Sequence, residues 1–183
     1  EKRILKLISS KTKAIITVNF HGRSCEYKKL NLISKKYKIP IIEDNCKGIG
    51  GFYNKKNLGT FGIMGCHSLG MISLLPVGFG GFIVTNNKLL EKKLKLIRDN
   101  GVDRSKNDEK LSYLGANFKI SDLLVSLANA QIKKIKIKIN KLLKIYRLYE
   151  NNLNNPNITF LPINVNNGEI PLCIDLYSKY RNQ

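Results

Sequence analysis

The sequence predicts an α/β fold in which helices cover a parallel β-sheet, and two patterns carry this prediction. Short β-branched apolar runs, typical of buried strands, alternate along the chain with stretches whose apolar residues recur at helical spacing. The first helical stretch lies between two such runs, which is the β-α-β arrangement that makes neighbouring strands parallel. With 183 residues and 43% hydrophobic content, the chain is long enough to bury a core of its own.

The β-α-β unit opens the chain. Residues 13–20 form a β-branched apolar run that ends at His21-Gly22, so we predict a buried strand followed by a turn. Residues 26–38 carry apolar side chains at three-to-four spacing and end before Pro40, which predicts a helix. Residues 39–43 form the second strand. Because ligands bind at the carboxyl ends of parallel strands, the residues just after each strand are candidate site residues.

The middle of the chain predicts a hairpin and two more strands. Residues 48–62 are rich in glycine and are predicted to form a loop that contains a short hairpin at Asn54-Lys55-Lys56. Strands are predicted at residues 63–69 and 81–85. The segment between these strands, residues 70–80, is an apolar connection punctuated with glycine.

Two helices and a polar loop follow. Asn86-Asn87 is a good N-cap for a helix over residues 88–98, whose last turn is basic. Residues 102–114 are polar, and we expect a mobile surface loop. The longest helical pattern begins at Ser121 and runs to about residue 151. A helix of this length commonly links two domains.

The end of the chain predicts a second, smaller unit. Residues 158–162 and 170–175 have the composition of strands. We therefore expect residues 1–140 to belong to a large domain. Residues 141–183 are expected to hold the linking helix and the beginning of a small α/β domain, which the chain leaves incomplete.

The charge of the chain is strongly positive, with a formal net charge of +19. The lysines are scattered among Ile, Leu and Asn and form no basic patch with interleaved aromatic residues, so we expect no nucleic-acid partner. A positive field also suits a small anionic ligand. The sequence has no run of about 18 apolar residues and no signal-peptide pattern, so we expect a cytoplasmic protein with no membrane segment.

Cysteine and histidine give no sign of a metal site. The four cysteines form no Cys-x-x-Cys pair, and only two histidines are present. We therefore expect reduced, mostly buried thiols and no metal ligands.

A series of short motifs resembles the DegT/DnrJ/EryC1/StrS family of sugar aminotransferases. Each motif alone is weak evidence, but their order and spacing match the family over residues 13–175. The matching segments include the first strand with its His-Gly turn, the Ile-Ile-Glu-Asp stretch, a strand that ends in serine, and a Gly-x-Gly-Gly turn. They lie at residues 12–22, 41–47, 59–62, 68–69, 78–81 and 115–119.

The resemblance implies a three-layer α/β/α fold of the aspartate aminotransferase type, known as fold type I, and a pyridoxal or pyridoxamine 5'-phosphate cofactor. By resemblance, Asp44 pairs with the protonated pyridine nitrogen and keeps the ring an electron sink. Ser68 matches the hydroxyl that binds the cofactor phosphate. Asn117 matches a residue that reaches the phosphate from a neighbouring subunit, which implies a homodimer with a shared site.

The sequence departs from the family at the residue that matters most for transamination. The lysine that holds the cofactor covalently lies five residues after the serine matched by Ser68, and that position is Ser73. A serine has no amine, so it supports neither the covalent bond nor the proton transfer of ordinary transamination. Lys47 replaces the Gln or His that contacts the ring hydroxyl, and Phe79 replaces the glutamate of the Gly-Glu-Gly-Gly turn.

One branch of the family works without the lysine. Nucleotide-sugar 3-dehydratases carry a histidine base at that position, bind pyridoxamine phosphate without a covalent bond, and have a stretch very like residues 43–47 here. Ser73 is a poor base compared with imidazole. Lys47 could approach the ring hydroxyl and serve as a surrogate amine.

The resemblance therefore leaves three functions open. The first is a transaminase-type protein of nucleotide-sugar and surface-polysaccharide biosynthesis, catalytically degenerate because of Ser73. Its substrates would be a keto-sugar nucleotide and an amino-acid donor. The second is a dehydratase-like enzyme that uses pyridoxamine phosphate, and the third is a non-catalytic paralogue or fragment. Family members also have a preceding segment that supplies part of the cofactor site.

Overall fold

The secondary structure follows the predicted order of strands and helices after a first helix, Lys2–Leu7, that was not predicted. The structure is a computed structural model that describes residues 2–103 and 111–181. In chain order the elements are α1 (Lys2–Leu7), β1 (Ile15–Val18), α2 (Tyr27–Tyr37), β2 (Ile41–Asp44), β3 (Phe52–Tyr53), β4 (Lys56–Asn57), β5 (Met64–Ser68), β6 (Gly81–Val84), α3 (Lys88–Arg98), α4 (Asp122–Lys133), α5 (Ile135–Asn152), β7 (Thr159–Phe160) and β8 (Leu176–Tyr177).

The central sheet has four strands in the order β1-β2-β5-β6. The predicted parallel pairing is confirmed for β1, β2 and β5, whereas β6 runs antiparallel to β5. The direction of β6 follows from its connection. Residues 69–80 form a loop without a crossover helix, and a parallel neighbour needs such a crossover.

One face of the sheet is packed. Tyr27 and Leu30 of α2 are buried against Ile41 of β2, together with Tyr53 of β3 and with Leu58, which follows β4. The Tyr27 ring is fully buried, and its centroid lies 4.3 Å from that of Phe61. The apolar residues whose spacing predicted α2 are therefore the residues with which this helix covers the sheet.

The other face of the sheet, which we call the open face, carries apolar side chains in contact with solvent. Ile16 is 69% exposed, Val18 47% and Ile83 46%. Ile16 and Val18 alternate along β1 with Ile15 and Thr17, which point to the packed face. Asp44 and Cys66 share the open face, since the strand register aligns Val18 with Asp44 and Asp44 with Cys66.

Local signals predicted the hairpin and the helix caps. Asn54 and Lys55 both have positive φ angles, 48° and 63°, which is the geometry of a two-residue hairpin turn between β3 and β4. The side chain of Asn87 accepts a hydrogen bond from Leu90 N and caps α3. Ser121 caps α4 in the same way by accepting from Leu124 N.

The single long helix predicted from Ser121 is wrong, because two helices meet at Lys134. This residue has φ −99° and ψ 1°, and its N–H bonds back to Gln131 O at 3.0 Å. A straight helix over this stretch would be about 45 Å long. The break lets Ala128 of α4 and Ile139 of α5 pack on one core.

This second core lies where the strands end. It joins the loop after β5 to α4, α5 and a residue near the end of the chain. Its buried members are Ile49, Leu69, Leu74, Leu75, Val77 and Ala128, and Ile120, Leu124, Ile135, Ile139, Leu142 and Leu172 pack around them. The division of the chain near residue 140 stays a prediction.

The C-terminal strands only partly match the prediction. β7 lies inside the predicted stretch 158–162, but the strand predicted at 170–175 is wrong, because its partner β8 begins at Leu176. Pro171 has no N–H for a strand ladder, and Ile170 N bonds to Gly22 O instead. Pairing starts where Asp175 O accepts from Leu161 N.

The loop expected at residues 102–114 is described only at its two ends. Val102 forms a bridge with Leu111, and residues 104–110, on which most of that prediction falls, lie outside the described residues. Within the described ranges, no helix is both long and apolar enough to span a bilayer.

Candidate functional site

Asp44 lies at the carboxyl end of a central strand, as predicted. Its side chain is half-buried on the open face, and Oδ1 accepts a hydrogen bond from Cys46 N at 3.0 Å. This Asx turn starts the loop after β2. Asn19 N donates to Asp44 O at 3.0 Å, so the neighbouring strand β1 holds the backbone of Asp44 in place.

Ser68 lies at the end of the adjacent strand and on the same face. Asp44 pairs with Cys66 in the register, and Ser68 follows Cys66 by two residues. Strand spacing and rise place the Cα atoms of Asp44 and Ser68 roughly 8 Å apart. The Ser68 hydroxyl accepts from Gly70 N at 3.1 Å and keeps its own proton to donate.

Two thiols surround Asp44. Burial and a hydrogen bond to the Asp44 carboxylate raise the pKa of Cys46 to about 11, and burial also raises the pKa of Cys66. Both thiols therefore stay protonated at neutral pH and place little negative charge beside the carboxylate. The four cysteines are free and half-buried, which is less burial than predicted.

Lys47 reaches from this loop to the next one. Its Nζ donates to Ile72 O at 2.8 Å, and Ile72 precedes Ser73 in the loop after β5. The structure thus brings together the loops that follow β2 and β5, which carry two of the predicted site residues.

Ser73 is buried and has an unusual hydroxyl. The residue is 9% exposed, and its Oγ has no hydrogen-bond partner among the described residues. Its amide donates to Gly70 O at 3.0 Å, which closes a turn. A buried polar atom without a partner costs stability and often marks a functional position.

The turn that departs from the family is exposed at its tip. Phe79 is 84% exposed between Gly78 and Gly80, which both have φ angles above 100°. A Cβ on Gly80 would lie 2.6 Å from Ile120 Cδ1, so the turn packs tightly against the segment that leads into α4.

Asn117 is exposed and belongs to the same segment. It bridges to Asp99 at the end of α3, and Phe118 N donates to Arg98 O at 3.1 Å. An exposed side chain is what contact with a neighbouring subunit requires. The roles of Asn117, Asp44, Lys47, Ser68 and Ser73 nevertheless stay predictions.

Sequence reasoning missed the role of Glu43. Its fully buried carboxylate accepts from Gly59 N and Gly62 N, each at 2.7 Å, and also from Phe61 N. The glutamate ties the loop after β4 to the end of β2, next to Asp44. Its position inside the Ile-Ile-Glu-Asp motif was the available signal.

A polar cluster joins β1 to the C-terminal segment and was also missed. Asp175 accepts from His21 Nδ1 at 2.8 Å and from Arg23, and Arg23 also donates to Leu161 O at 2.9 Å. Burial alone would raise the pKa of Asp175, but the hydrogen bonds from Arg23 and His21 outweigh it and lower the pKa below its ordinary value. More than 130 residues separate these partners, so no local pattern indicated the cluster.

The polar side chains on the open face suit pyridoxal or pyridoxamine phosphate. Asp44 offers a carboxylate to a protonated pyridine nitrogen, and Ser68 offers a hydroxyl to a phosphate. The roughly 8 Å between their Cα atoms is a span that a pyridine ring with a phosphate arm can bridge. Ser73 contributes no amine, and its Oγ, which has no hydrogen-bond partner within residues 2–103 and 111–181, lies in the adjacent loop.

The chain is similar to a known protein family and to several of its members. A family model described as the DegT/DnrJ/EryC1/StrS aminotransferase family matches residues 1–172. A UDP-4-amino-4,6-dideoxy-N-acetyl-beta-L-altrosamine transaminase from Campylobacter jejuni strain 81-176 is 32% identical over 151 residues, which are 82% of this chain and 40% of that protein.

Solved structures share the fold. The Helicobacter pylori aminotransferase PseC, involved in the biosynthesis of pseudoaminic acid, has a TM-score of 0.83 and 25% identity, and the match covers 96% of this chain and 48% of that one. Escherichia coli GDP-4-keto-6-deoxy-D-mannose-3-dehydratase with bound hydrated PLP has a TM-score of 0.84 and 24% identity, with coverage of 99% and 50%.

The predicted fold class is confirmed by these structures. The chain spans about 40% of the length of the curated relative and about half of each solved chain. The match of the family model over residues 1–172 agrees with the motifs that predicted it. The chain belongs to the DegT/DnrJ/EryC1/StrS aminotransferase family.

Proposed function

We propose that this chain is part of a sugar aminotransferase-type protein that binds pyridoxal or pyridoxamine phosphate at the carboxyl end of β2 and β5. The reaction of this protein type transfers an amino group from an amino acid, such as glutamate, to a keto-sugar nucleotide. The names of relatives support this substrate class, since the Campylobacter protein is a UDP-amino-sugar transaminase.

A single observation carries the proposal: Asp44 and Ser68 lie on the same open face at the ends of adjacent strands. The Asp44 carboxylate would hold the proton on the pyridine nitrogen, and the Ser68 hydroxyl would orient the phosphate. When bound, the cofactor supplies an electron sink for the substrate carbanion. Glu43 would keep Asp44 in position by fixing the end of β2.

Ser73 limits the activity that we propose. Its hydroxyl is neither a nucleophile of the amine type nor a base near neutral pH, so it offers no proton transfer comparable with that of a lysine. We therefore propose a catalytically degenerate site. The proposal also includes a cytoplasmic location and a homodimer in which the exposed Asn117 serves the partner subunit.

Equilibrium dialysis with pyridoxamine phosphate tests the site. Losing the charged partner of the pyridinium removes about 1.5–3 kcal/mol, so Asp44→Asn should weaken binding roughly ten- to hundredfold. Ser68→Ala should weaken it less, since a neutral donor is lost. Glu26→Gln, which removes an exposed carboxylate on the chain before α2, should leave the affinity unchanged. Equal affinity of Asp44→Asn and the unchanged chain would refute the site.

A second assay separates the functions that the sequence left open. The chain is incubated with pyridoxal phosphate and glutamate, and formation of 2-oxoglutarate is measured. The proposed degenerate site should form it far more slowly than an active transaminase does. Cofactor binding without amino transfer would agree with either a dehydratase-like protein or a non-catalytic one, and loss of the hydroxyl from a keto-sugar nucleotide would identify the former.

A further inference from the structure

The side chain of Lys47 crosses from one candidate site loop to the other. The loop after β2 begins with the Asx turn at Asp44, and Gly48 N donates to Asn45 O at 3.2 Å. From this turn, Lys47 extends until Nζ lies 2.8 Å from Ile72 O. The amine therefore lies in the loop after β5, although the residue belongs to the loop after β2.

This position is next to Ser73. A carbonyl oxygen and the following amide nitrogen lie in one peptide plane, so Nζ of Lys47 lies within about 5 Å of the backbone nitrogen of Ser73. Ser73 itself brings no amine, and its buried hydroxyl has no partner in the part of the chain that the structure describes. The loop that lacks its own lysine thus has the amine of another lysine at its backbone.

The turn that carries Lys47 also contacts Asp44. Cys46 N donates to Asp44 Oδ1 at 3.0 Å, and Lys47 is the next residue. The charge of Lys47 opposes the rise in the pKa of the Cys46 thiol. A ring held by Asp44 would therefore lie beside the loop from which Lys47 extends.

The arrangement of substituents on the cofactor ring makes this proximity useful. The ring hydroxyl and the aldehyde of pyridoxal phosphate are on adjacent carbons. By the resemblance, position 47 is that of the residue that contacts the ring hydroxyl, and a lysine side chain that reached the hydroxyl would also lie near the aldehyde on the next carbon. Ile72 O accepts a hydrogen bond from the amine, and the cofactor can replace this bond.

We propose that Lys47 condenses with the aldehyde of pyridoxal phosphate and so takes over the covalent attachment that Ser73 cannot provide, an inference that rests on the proposed function. The neutral amine attacks the aldehyde carbon, and a carbon–nitrogen double bond replaces the carbon–oxygen one. The two protons of the amine leave with the oxygen as water. No atom changes its oxidation state, and no further reactant is needed.

Borohydride trapping tests this inference on the full chain. Pyridoxal phosphate is added at one equivalent, borohydride reduces any carbon–nitrogen double bond to a stable secondary amine, and peptide mass spectrometry locates the label. We expect close to one label per chain at Lys47. An excess of pyridoxamine phosphate, which has no aldehyde, should suppress this label at least fivefold.

Two matched lysine variants separate attachment from a merely structural contact. Lys47→Arg keeps the charge and the donor to Ile72 O but cannot form a stable carbon–nitrogen double bond, so the label should fall at least tenfold. Its far-UV circular dichroism spectrum should match that of the unchanged chain, which shows that the variant folds. Lys29→Arg, the same substitution at an exposed position on α2, should keep the label at Lys47.

The outcomes also distinguish this inference from the proposed function. If pyridoxamine phosphate binds in an Asp44-dependent way while the label is scattered over surface lysines or persists in Lys47→Arg, the role of Lys47 is refuted and the cofactor site stands. If pyridoxamine phosphate does not bind, the proposed function fails and the inference fails with it.

Discussion

Burial determines the charge state of His67 at the end of β5. The ring stacks on Phe82 with centroids 4.4 Å apart, and Nδ1 lies 3.3 Å from Asn45 Nδ2. Nε2 is buried and has no partner among the described residues. This burial lowers the pKa of His67 below its ordinary value, so the folded state holds a neutral imidazole.

The sign of the pH dependence follows from this shift. Below the ordinary pKa of about 6.5, the unfolded chain binds a proton at His67 that the folded chain does not, so stability falls as the pH drops from 7 towards the folded pKa. His67→Phe keeps the stacked ring and removes the titration. Urea unfolding at several pH values should show a shallower loss of stability for the variant, and identical slopes would contradict this account.

The residues of the candidate site differ in how far the sequence alone predicts their positions and contacts. Asp44 and Ser68 were predictable, because they follow apolar strands and match family motifs. The burial of Ser73 was not, because it depends on the second core, whose members are distant in the sequence. The bond from Lys47 to Ile72 O depends on two loops meeting and has no local signal.

At the scale of elements, the segment around β7 and β8 is held to β1 by polar contacts. Asp175 connects His21 and Arg23 to the start of β8, and Glu169 accepts from Ser24 N at 2.8 Å and Asn164 N at 2.8 Å. These contacts are charge-assisted and partly buried, so they are worth more than exposed ion pairs.

Asp175→Asn tests this attachment. Losing the charged acceptor should cost about 1–3 kcal/mol and speed amide exchange in β7 and β8. Because the folded pKa of Asp175 is lowered, its contribution is present above the ordinary pKa and is lost as the pH falls below about 4. Native-state hydrogen exchange by NMR measures the amide exchange rates in β7 and β8. Equal rates in the variant and the unchanged chain at pH 7 would show that the cluster does not hold the segment.

Element types were more predictable than their ends. The spacing of apolar residues predicted α2, and the cap residues predicted where α3 and α4 begin. The break at Lys134 depends on which core the side chains of α4 and α5 reach. The start of β8 at Leu176 depends on the hydrogen bond that Ile170 N donates to Gly22 O. These are contacts between segments far apart in the chain, which local patterns do not contain.

At the scale of the whole molecule, the two faces of the sheet differ in what covers them. Ile41 is 2% exposed beneath α2, whereas Ile16 on the adjacent strand is 69% exposed. The open face also carries Asp44 and Ser68 at its carboxyl edge. The fold class was predictable from the β-α-β pattern and the motifs, but the exposure of this face was not, because it depends on which elements pack together.

The same substitution on the two faces should have unequal effects. Ile16→Thr should change the free energy of unfolding by no more than about 0.5 kcal/mol, since little burial is lost. Ile41→Thr should cost at least about 2 kcal/mol, because it leaves a void and buries a hydroxyl. Urea unfolding of both variants decides the matter. An equal cost for the two variants would mean that the open face is covered in solution.

The central claim is that the open face binds a pyridoxal-type cofactor where β2 and β5 end, and an NMR titration with pyridoxamine phosphate tests it most directly. The account predicts saturable shifts concentrated at the amides of Asp44, Cys46, Ser68 and Gly70, and their loss in Asp44→Asn. Shifts spread along the lysines of α5, or none at all, would contradict it.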